Sequence, residues 1–253
     1  MSDMSIKGVV LAGGEGTRFR PLTYYFQKCM IPVGEEQKPI LDYILRLFRY
    51  HGVKKTVLLV GYKHQQIANY FDHGERFGVE MNYVLDDPNL KGSANALLNA
   101  YRKGAITDDD TLVVYYGDIL SNLDIGAMVK HHQEKKAEAT LALARRYNIS
   151  VGKAELDGTR ITSFVEKPDL MQPVSIGILT LSGSVLKEMA SLQQQGQFCS
   201  FDLMGDVISY LVQKGRRVEA YLTDAFWYDV GSIERYERLS PEKLSEVMGF
   251  LLK

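Results

Sequence analysis

The chain has 253 residues, 45% of them hydrophobic, and its 30 Lys and Arg nearly balance 31 Asp and Glu, giving a formal net charge of −1. This length suits one large α/β domain, and the near-neutral charge argues against a nucleic-acid-binding surface driven by bulk charge. Two cysteines, Cys29 and Cys199, cannot build a disulfide framework, and no apolar segment reaches membrane-spanning length. We therefore expect a cytoplasmic protein that binds neither nucleic acid nor membrane.

The first predicted element is a buried strand that opens directly into a glycine-rich loop. The apolar run Val9-Val10-Leu11-Ala12 precedes glycines at positions 13, 14 and 16, and Arg18 closes the loop. Such a loop points several main-chain N–H groups at one anion, and arginine adds a charged fork that suits phosphate oxygens. The Gly-Lys-Ser/Thr ending of a P-loop is missing, and Phe19 breaks the dinucleotide-binding pattern. We predict a triphosphate cradle, with a ligand-free strand-to-helix turn as the alternative.

Up to about residue 137, the hydrophobic pattern alternates between helices and strands. Helices are predicted over residues 38–51, 64–71 and 93–102, and strands over 56–60, 81–85 and 111–116. This alternation implies βαβ units with right-handed crossovers, and hence a mostly parallel sheet. Ligands of open α/β sheets bind beyond the carboxyl ends of such strands.

Beyond residue 137 the pattern is richer in strands separated by turns, which predicts a mixed sheet. Strands are predicted over residues 139–144, 151–156, 160–165, 175–181 and 218–222, with a helix over 202–214. Residues 241–252 space their apolar side chains along one helical face, which would dock on its own domain or on a second subunit. We expect one domain over residues 1–240, followed by a C-terminal helix over 241–253.

Two aspartates each follow an apolar segment and stand beside a glycine. Asp118 ends the run 112–118 directly after Gly117, and Asp229 lies two residues before Gly231. Mg²⁺ is typically held by one or two carboxylates together with phosphate oxygens and water, so both residues are candidate metal ligands. Asp118 could equally cap its own turn, and Asp229 could stabilise the start of a following helix.

Two basic segments complete the candidate set. Lys28 lies a short way past the glycine loop, where an ammonium could reach a phosphate. Glu166 and Lys167 follow the predicted strand 160–165, where the carboxylate could bind sugar hydroxyls and the ammonium a phosphate. Considered singly, each of these residues is better explained as a solvated surface side chain.

Taken together, these segments resemble the sugar-1-phosphate nucleotidylyltransferases. The loop at residues 13–23 matches that family's G-G-x-G-T-R-L-x-P-L-T signature except that Phe19 replaces leucine. Further matches follow in the family's order: Gln27-Lys28-Cys29-Met30, Lys38-Pro39, Gly92-Ser93-Ala94, Gly117-Asp118, Glu166-Lys167-Pro168 and Trp227-Tyr228-Asp229-Val230-Gly231. They span residues 8 to about 236, nearly the whole chain.

The resemblance implies a Rossmann-like three-layer α/β/α fold with a mostly parallel, mixed central sheet. It divides the domain into a nucleotide-binding half, up to about residue 137, and a sugar-binding half. It also implies an activity, in which an oxygen of a sugar 1-phosphate attacks the α-phosphorus of a nucleoside triphosphate and pyrophosphate leaves. Such a transfer is accelerated by positioning and charge stabilisation, without a serine or cysteine nucleophile.

The family's residue roles transfer to matching positions of this chain. Arg18 and Lys28 become the catalytic cations, and Asp118 and Asp229 the ligands of a Mg²⁺ cofactor. The nucleotide-binding residues implied are Leu11, Ala12, Gly13, Gly14, Gly16, Thr17 and Gly92. The sugar-phosphate-binding residues implied are Gly152, Glu166, Lys167 and Gly177. Ser175 and Leu179 depart from the asparagine and tyrosine that relatives often carry around that last glycine, which implies an altered sugar pocket.

The nucleobase is predicted from one short segment alone. Asp86 and Asp87 precede Gly92, where uridine- and thymidine-using relatives often carry glutamine. A carboxylate only accepts hydrogen bonds, which fits the N1–H and N2–H₂ donors of guanine. We therefore assign Asp87 to the nucleotide site and favour GTP over UTP or dTTP. Solvated loop aspartates are the alternative. The sugar, of glucose or mannose type, and association of the chain with itself stay open.

Two other classes of protein were weighed against the enzyme. A non-catalytic nucleotide-sugar-binding regulatory subunit would be expected to lose Arg18, Lys28 or one of the aspartate ligands, and this chain keeps all of them. An oxidoreductase built on a dinucleotide-binding unit is disfavoured by Phe19.

Overall fold

The computed structural model describes residues 5–149, 151–196, 198 and 200–252. Cys199, Lys253 at the end of the predicted tail and the first four residues of the predicted domain lie outside this part. In chain order the strands are β1 (Ile6–Ala12), β2 (Pro32–Val33), β3 (Lys38–Pro39), β4 (Lys55–Val60), β5 (Glu80–Leu85), β6 (Thr111–Tyr116), β7 (Ile119–Ser121), β8 (Ala139–Ala144), β9 (Tyr147–Asn148), β10 (Lys153–Asp157), β11 (Arg160–Val165), β12 (Asp169–Leu170), β13 (Val174–Ser182), β14 (Val218–Thr223) and β15 (Trp227–Asp229).

The α-helices are α1 (Ile40–Tyr50), α2 (His64–Phe71), α3 (Ser93–Arg102), α4 (Ile125–Glu134), α5 (Val185–Gln195), α6 (Ser209–Gln213), α7 (Ile233–Glu237) and α8 (Pro241–Met248). Short 3₁₀ turns lie at Thr17–Phe19, Leu22–Tyr24, Lys28–Met30, Glu75–Phe77 and Gly249–Leu252, and a π-helical segment, Leu203–Ile208, leads into α6. Within the described ranges, no helix has the length and apolar character that a membrane span requires.

The central sheet has seven strands in the order β14-β8-β13-β6-β1-β4-β5. β1 pairs in parallel with both β4 and β6, and β4 with β5, as the alternation of helices and strands predicts. β13 runs antiparallel to its neighbours β6 and β8, while β14 is parallel to β8. The sheet is therefore mixed and mostly parallel, which confirms the predicted fold class.

Alternating side chains of the strands build a separate core on each face of the sheet. Val10 of β1 packs in a cluster with residues of α1, α2, α4 and α8. Val9, its neighbour, packs on the opposite face with residues of α3, α5 and α6. Both valines are fully buried, and each such side chain contributes about 1.5–3 kcal/mol by leaving water. Helices on both faces give the three layers.

The helical segment predicted over 202–214 begins with a π-helical turn. Hydrogen bonds of such a turn close at i+5, so residues four and five positions further on lie on the same face as the first. Leu203, Val207 and Ile208 have this spacing and are all buried against the second core. The wider turn therefore follows from the position of the apolar residues.

The tail helix packs against its own domain. Leu244 and Met248 of α8 are buried in the same cluster as α1, and the side-chain amide of Asn122 donates to the carbonyl of Val247 at 3.2 Å. The apolar stripe along the tail is thereby covered within the chain.

Candidate active site

A cleft of about 1070 Å³ opens beyond the carboxyl ends of β1 and β6. Its walls come from the glycine loop after β1, the Gly117-Asp118 turn after β6 and the segment before α3. The cleft is lined by every residue predicted to bind nucleotide, by both predicted cations and by one predicted metal ligand: Leu11, Ala12, Gly13, Gly14, Gly16, Thr17, Arg18, Lys28, Asp87, Gly92 and Asp118. The cleft thus brings together predicted residues from four separate segments of the chain.

Glycines shape the cleft because neighbouring groups approach them closely. A Cβ atom on Gly13 would stand 1.8 Å from a carboxylate oxygen of Asp86, whereas a Cβ on Gly14 would meet nothing within 4 Å. Gly16 has a φ of 62°, in the left-handed region that favours glycine. Gly92 has a φ of 103°, and a Cβ there would lie 2.2 Å from the carbonyl oxygen of Phe201. Gly92 is therefore required by the close approach of main chain, whereas a Cβ on Gly13 would displace the Asp86 carboxylate.

Gln27 is a site residue that the sequence analysis did not single out. Its buried side-chain amide donates to the carbonyl of Ala12 at 2.7 Å and accepts from the amide of Cys29 at 2.6 Å. These bonds tie the 3₁₀ turn that carries Lys28 to the end of β1. The bonds of Gln27 therefore restrain the segment that carries Lys28.

Lys28 and Asp118 meet at the floor of the cleft, where their side chains form an ion pair. The Lys28 side chain is only 13% exposed and that of Asp118 25% exposed, so the pair is partly shielded from water. The Lys28 ammonium also lies 6.0 Å from the ring centroid of buried Phe19. A shielded cation is therefore fixed beside the candidate metal ligand.

A short ladder brings the second aspartate to the first. β15 pairs antiparallel with β7, and the amide of Val230 donates to the carbonyl of Asp118 at 2.9 Å. Burial raises the pKa of Asp229, as does the charge of Asp118, while Arg235 opposes the shift. The pKa of Asp229 is therefore raised because its carboxyl group is partly buried and lies near that of Asp118.

The donor set at this place fits Mg²⁺. No group of three or more His, Cys, Asp or Glu that could hold a metal ion occurs in the described part of the chain. Two carboxylates are enough for Mg²⁺ when substrate phosphates and water supply the remaining ligands, whereas a dedicated structural metal site needs more protein ligands. The pair therefore suits a cation that arrives with a phosphate-bearing substrate.

A second, smaller cavity of about 250 Å³ adjoins this pair. Gly177, Asp229 and Arg235 line it, together with Tyr147 and Trp227, whose rings stack with centroids 6.0 Å apart. Gly231, two residues from Asp229, lines the large cleft. Asp229 therefore stands at the junction of the two cavities.

The remaining predicted sugar-phosphate residues, Gly152, Glu166 and Lys167, lie between β9 and β12 and line neither cavity. A Cβ on Gly152 would lie 2.9 Å from a carboxylate oxygen of Glu166, so these two residues are neighbours. Glu166 and Lys167 are exposed, and the carbonyl of Lys167 accepts from the Asn148 side chain at 2.9 Å. Of the predicted sugar-phosphate residues, Gly177 alone lines the second cavity.

The two aspartates before α3 differ in their surroundings. Asp87 accepts hydrogen bonds from the amide and side chain of Asn89, so it caps its own turn. Asp86 lines the cleft, and its buried Oδ1 atom has no hydrogen-bond partner. Burial raises the pKa of Asp86 to about 6. Asp86 is therefore a cleft-lining carboxyl group whose Oδ1 atom is buried and unpaired.

Comparison with known proteins agrees with this architecture. The family model for nucleotidyl transferases matches residues 7–246, and the chain belongs to this family. It is 34% identical to a UTP–glucose-1-phosphate uridylyltransferase from Synechocystis sp. over 245 residues, which cover 91% of the chain and 61% of that relative. It is 27% identical to a D-glycero-α-D-manno-heptose 1-phosphate guanylyltransferase from Aneurinibacillus thermoaerophilus, covering 94% of the chain and 98% of that relative.

A solved structure has the same fold. A putative glucose-1-phosphate thymidylyltransferase from Bacillus anthracis superposes with a TM-score of 0.74 at 22% identity, over 95% of both chains. At this identity the superposition establishes the fold alone.

Proposed function

We propose that the chain is an enzyme that joins a sugar 1-phosphate of glucose or mannose type to a nucleoside triphosphate and releases pyrophosphate. The observation that carries the proposal is the meeting of Lys28, Asp118 and Asp229 where a large cleft adjoins a small aromatic-lined cavity. The large cleft suits a nucleoside triphosphate and the small cavity a single sugar ring. The reacting phosphates of both substrates would then meet at the junction.

The reaction is a displacement at phosphorus. An oxygen of the sugar phosphate forms a bond to the α-phosphorus, and the bond from that phosphorus to the bridging oxygen of pyrophosphate breaks. The glycine loop and Arg18 would hold the β- and γ-phosphates and neutralise the leaving pyrophosphate. Lys28 would offset the negative charge that accumulates as two anionic substrates approach each other.

Asp118 and Asp229 would hold the Mg²⁺ ion. When bound, it would act as a Lewis acid and align the α-phosphate with the sugar phosphate. Lys28 pairs with Asp118, and Arg235 pairs with Asp229 at 2.7 Å. These cations hold the two carboxylates in position and would also face the substrate phosphates.

GTP is the proposed nucleotide, and Asp86 is the side chain that supports it best. An ionised carboxylate accepts from both N1–H and N2–H₂ of guanine but repels the carbonyl oxygens of uracil. Asp86 lines the cleft and its buried Oδ1 has no hydrogen-bond partner, whereas Oδ1 of Asp87 accepts from Asn89. The Aneurinibacillus relative is named a guanylyltransferase, although other relatives are named for UTP and ATP.

The roles predicted for residues that line neither cavity stay predictions. Gly152, Glu166 and Lys167 would contact the sugar phosphate only from the exposed segment between β9 and β12. A cytoplasmic location, independence of nucleic acid and membrane, and self-association likewise stay predictions.

The test is pyrophosphate release from the purified protein over a matrix of GTP, UTP, dTTP, CTP and ATP against glucose 1-phosphate and mannose 1-phosphate. We expect Mg²⁺-dependent release that requires both substrates and is fastest with GTP. Preference for UTP or dTTP would remove the guanine assignment while keeping the reaction. Nucleotide-sugar binding without turnover for any pair would indicate a regulatory subunit instead.

A further inference from the structure

Arg235 is the feature of the second cavity that the family signature did not point to. It lies in the short helix α7 and is the cation among the described residues that line this cavity. The other lining side chains are apolar or aromatic apart from Ser175, the phenol of Tyr147 and the carboxylate of Asp229. Within this lining, Arg235 is therefore the side chain whose positive charge an anionic ligand would meet.

The guanidinium is fixed between the two cavities. Its Nη1 atom donates to a carboxylate oxygen of Asp229 at 2.7 Å, and its Nη2 atom donates to the hydroxyl of Tyr147 at 3.2 Å. The main chain is held as well, because the Tyr228 hydroxyl donates to the Arg235 carbonyl at 2.6 Å and the Arg235 amide donates to Ser232 at 3.3 Å. The side chain therefore bridges the candidate metal ligand and the aromatic wall.

We propose that Arg235 binds the phosphate group of the sugar 1-phosphate, in addition to the contact that the sequence resemblance implies for Lys167. The inference rests on the proposed function. A sugar ring between Tyr147 and Gly177 would have to extend its phosphate toward Asp229 to reach the nucleotide, and Arg235 stands on that route. Lys167 lies on the exposed segment outside the cavity.

The chemistry of arginine suits this position. Its planar fork has five N–H donors, so it can keep one bond to Asp229 while presenting others to phosphate oxygens. A carboxylate and a phosphate on either side of one guanidinium share its charge, which limits their mutual repulsion. Arg235 would then orient the attacking phosphate beside the aspartate pair.

The experiment compares Arg235→Gln and Arg235→Lys with Arg238→Gln. Arg238 lies one turn further along, is 63% exposed and pairs with Glu234, so it makes a matched control. For Arg235→Gln we expect the KM for glucose 1-phosphate or mannose 1-phosphate to rise about 10- to 100-fold, because a charge-assisted bidentate contact is lost. The KM for the nucleotide should change less than about twofold, and lysine should restore part of the loss. Titration calorimetry with the sugar phosphate should show the same order of affinities.

A purely structural role for Arg235 has a different signature. If Arg235 only positions Asp229, Arg235→Gln would lower kcat and raise the Mg²⁺ requirement while the KM for the sugar phosphate stays at the wild-type value. That result would overturn the inference and leave the proposed function standing. If the wild-type protein releases no pyrophosphate with any substrate pair, the proposed function itself is wrong, and this inference falls with it.

Discussion

The ammonium of Lys28 pairs with the carboxylate of Asp118, although 90 positions separate them in the chain. One residue follows the loop after β1 and the other follows β6, and these two strands are neighbours in the sheet. The parallel pairing brings both loops to the same edge. A cation and a candidate metal ligand are thereby placed together where phosphates would react.

Removal of the Lys28 charge should slow the chemical step. For Lys28→Ala we expect kcat to fall about 100- to 1,000-fold, the range found when one preorganised charge-stabilising group is lost. Folding should be preserved, because Asp118 keeps access to water. Steady-state pyrophosphate release and thermal melting would check this, with Lys130→Ala as the exposed control. Near-normal turnover in Lys28→Ala would exclude Lys28 from catalysis.

Neutralising either member of the aspartate pair should abolish Mg²⁺-dependent turnover. Asp118→Asn and Asp229→Asn keep the size of the side chain but remove the charge that Mg²⁺ requires. We expect loss of activity with melting temperatures close to that of the wild type. Asp72→Asn is a suitable control, since Asp72 is exposed and its φ of 49° is one that asparagine tolerates. If a variant keeps its activity at the Mg²⁺ concentration that supports the wild-type protein, the substituted residue is not a ligand of the metal.

The glycine loop offers a matched pair of substitutions. In Gly13→Ala the new methyl would collide with Asp86, while in Gly14→Ala it would meet open space. Gly13→Ala should therefore lose some stability and nucleotide binding, and Gly14→Ala should keep the wild-type stability. Nucleotide titration and thermal melting of the two variants would measure this. Equal behaviour of the two would show that the loop does not need the close approach of Asp86.

Guanine recognition should depend on the ionised form of Asp86. For Asp86→Asn we expect kcat/KM for GTP to fall about tenfold or more relative to UTP, because an amide donor replaces a carboxylate acceptor. In the wild type, the KM for GTP should rise as pH falls through about 6, where Asp86 becomes protonated. Lys103 is the charged group that opposes this protonation. A GTP preference that survives in Asp86→Asn but is lost in Asp87→Asn would transfer the role to Asp87.

A buried histidine should make stability fall at mildly acidic pH. His132 is hydrogen-bonded to Thr140 at 2.9 Å and Ser182 at 3.0 Å, and burial lowers its pKa to about 4. Between the folded value and the unfolded value of about 6.5, the unfolded chain binds the extra proton, so stability rises with pH. The neutral state is worth about 3 kcal/mol above pH 6.5, and this is lost as pH falls toward 4.

Urea unfolding at pH 7 and pH 5 would measure this for the wild type and His132→Gln. The wild type should lose more free energy of unfolding between the two values than the variant, which lacks the titrating group. The same loss in both proteins would mean that other groups cause the acid sensitivity.

Much of the fold follows from local patterns in the sequence. The helix 64–71, the strand 111–116 and the strand 139–144 have the predicted bounds, because apolar spacing and turn residues agree there. The local sequence pattern does not predict that β13 lies antiparallel between two distant strands of the sheet. The position of β13 is fixed by pairing with β6 and β8, which are distant in the chain.

The site could be predicted in part, for a physical reason. Residues at strand ends converge whenever the sheet is parallel, so Gly13 and Asp118 could be placed in one cleft in advance. The contributions of Gln27 and Arg235 depend on side-chain contacts across the sheet edge, which no motif encodes. Asp86 and Asp87 are adjacent in sequence, and only the structure shows that Asp87 caps its own turn while the buried Oδ1 of Asp86 has no partner.

The most direct measurement is ³¹P NMR of the protein incubated with GTP, mannose 1-phosphate or glucose 1-phosphate, and Mg²⁺. The proposed function predicts that GTP and sugar phosphate signals decline together while a nucleoside diphosphate-sugar and pyrophosphate appear in equal amounts. Product that forms only with another nucleotide would correct the base and keep the reaction. Inorganic phosphate in place of pyrophosphate, or no nucleotide sugar with any nucleotide, would contradict the proposed transfer.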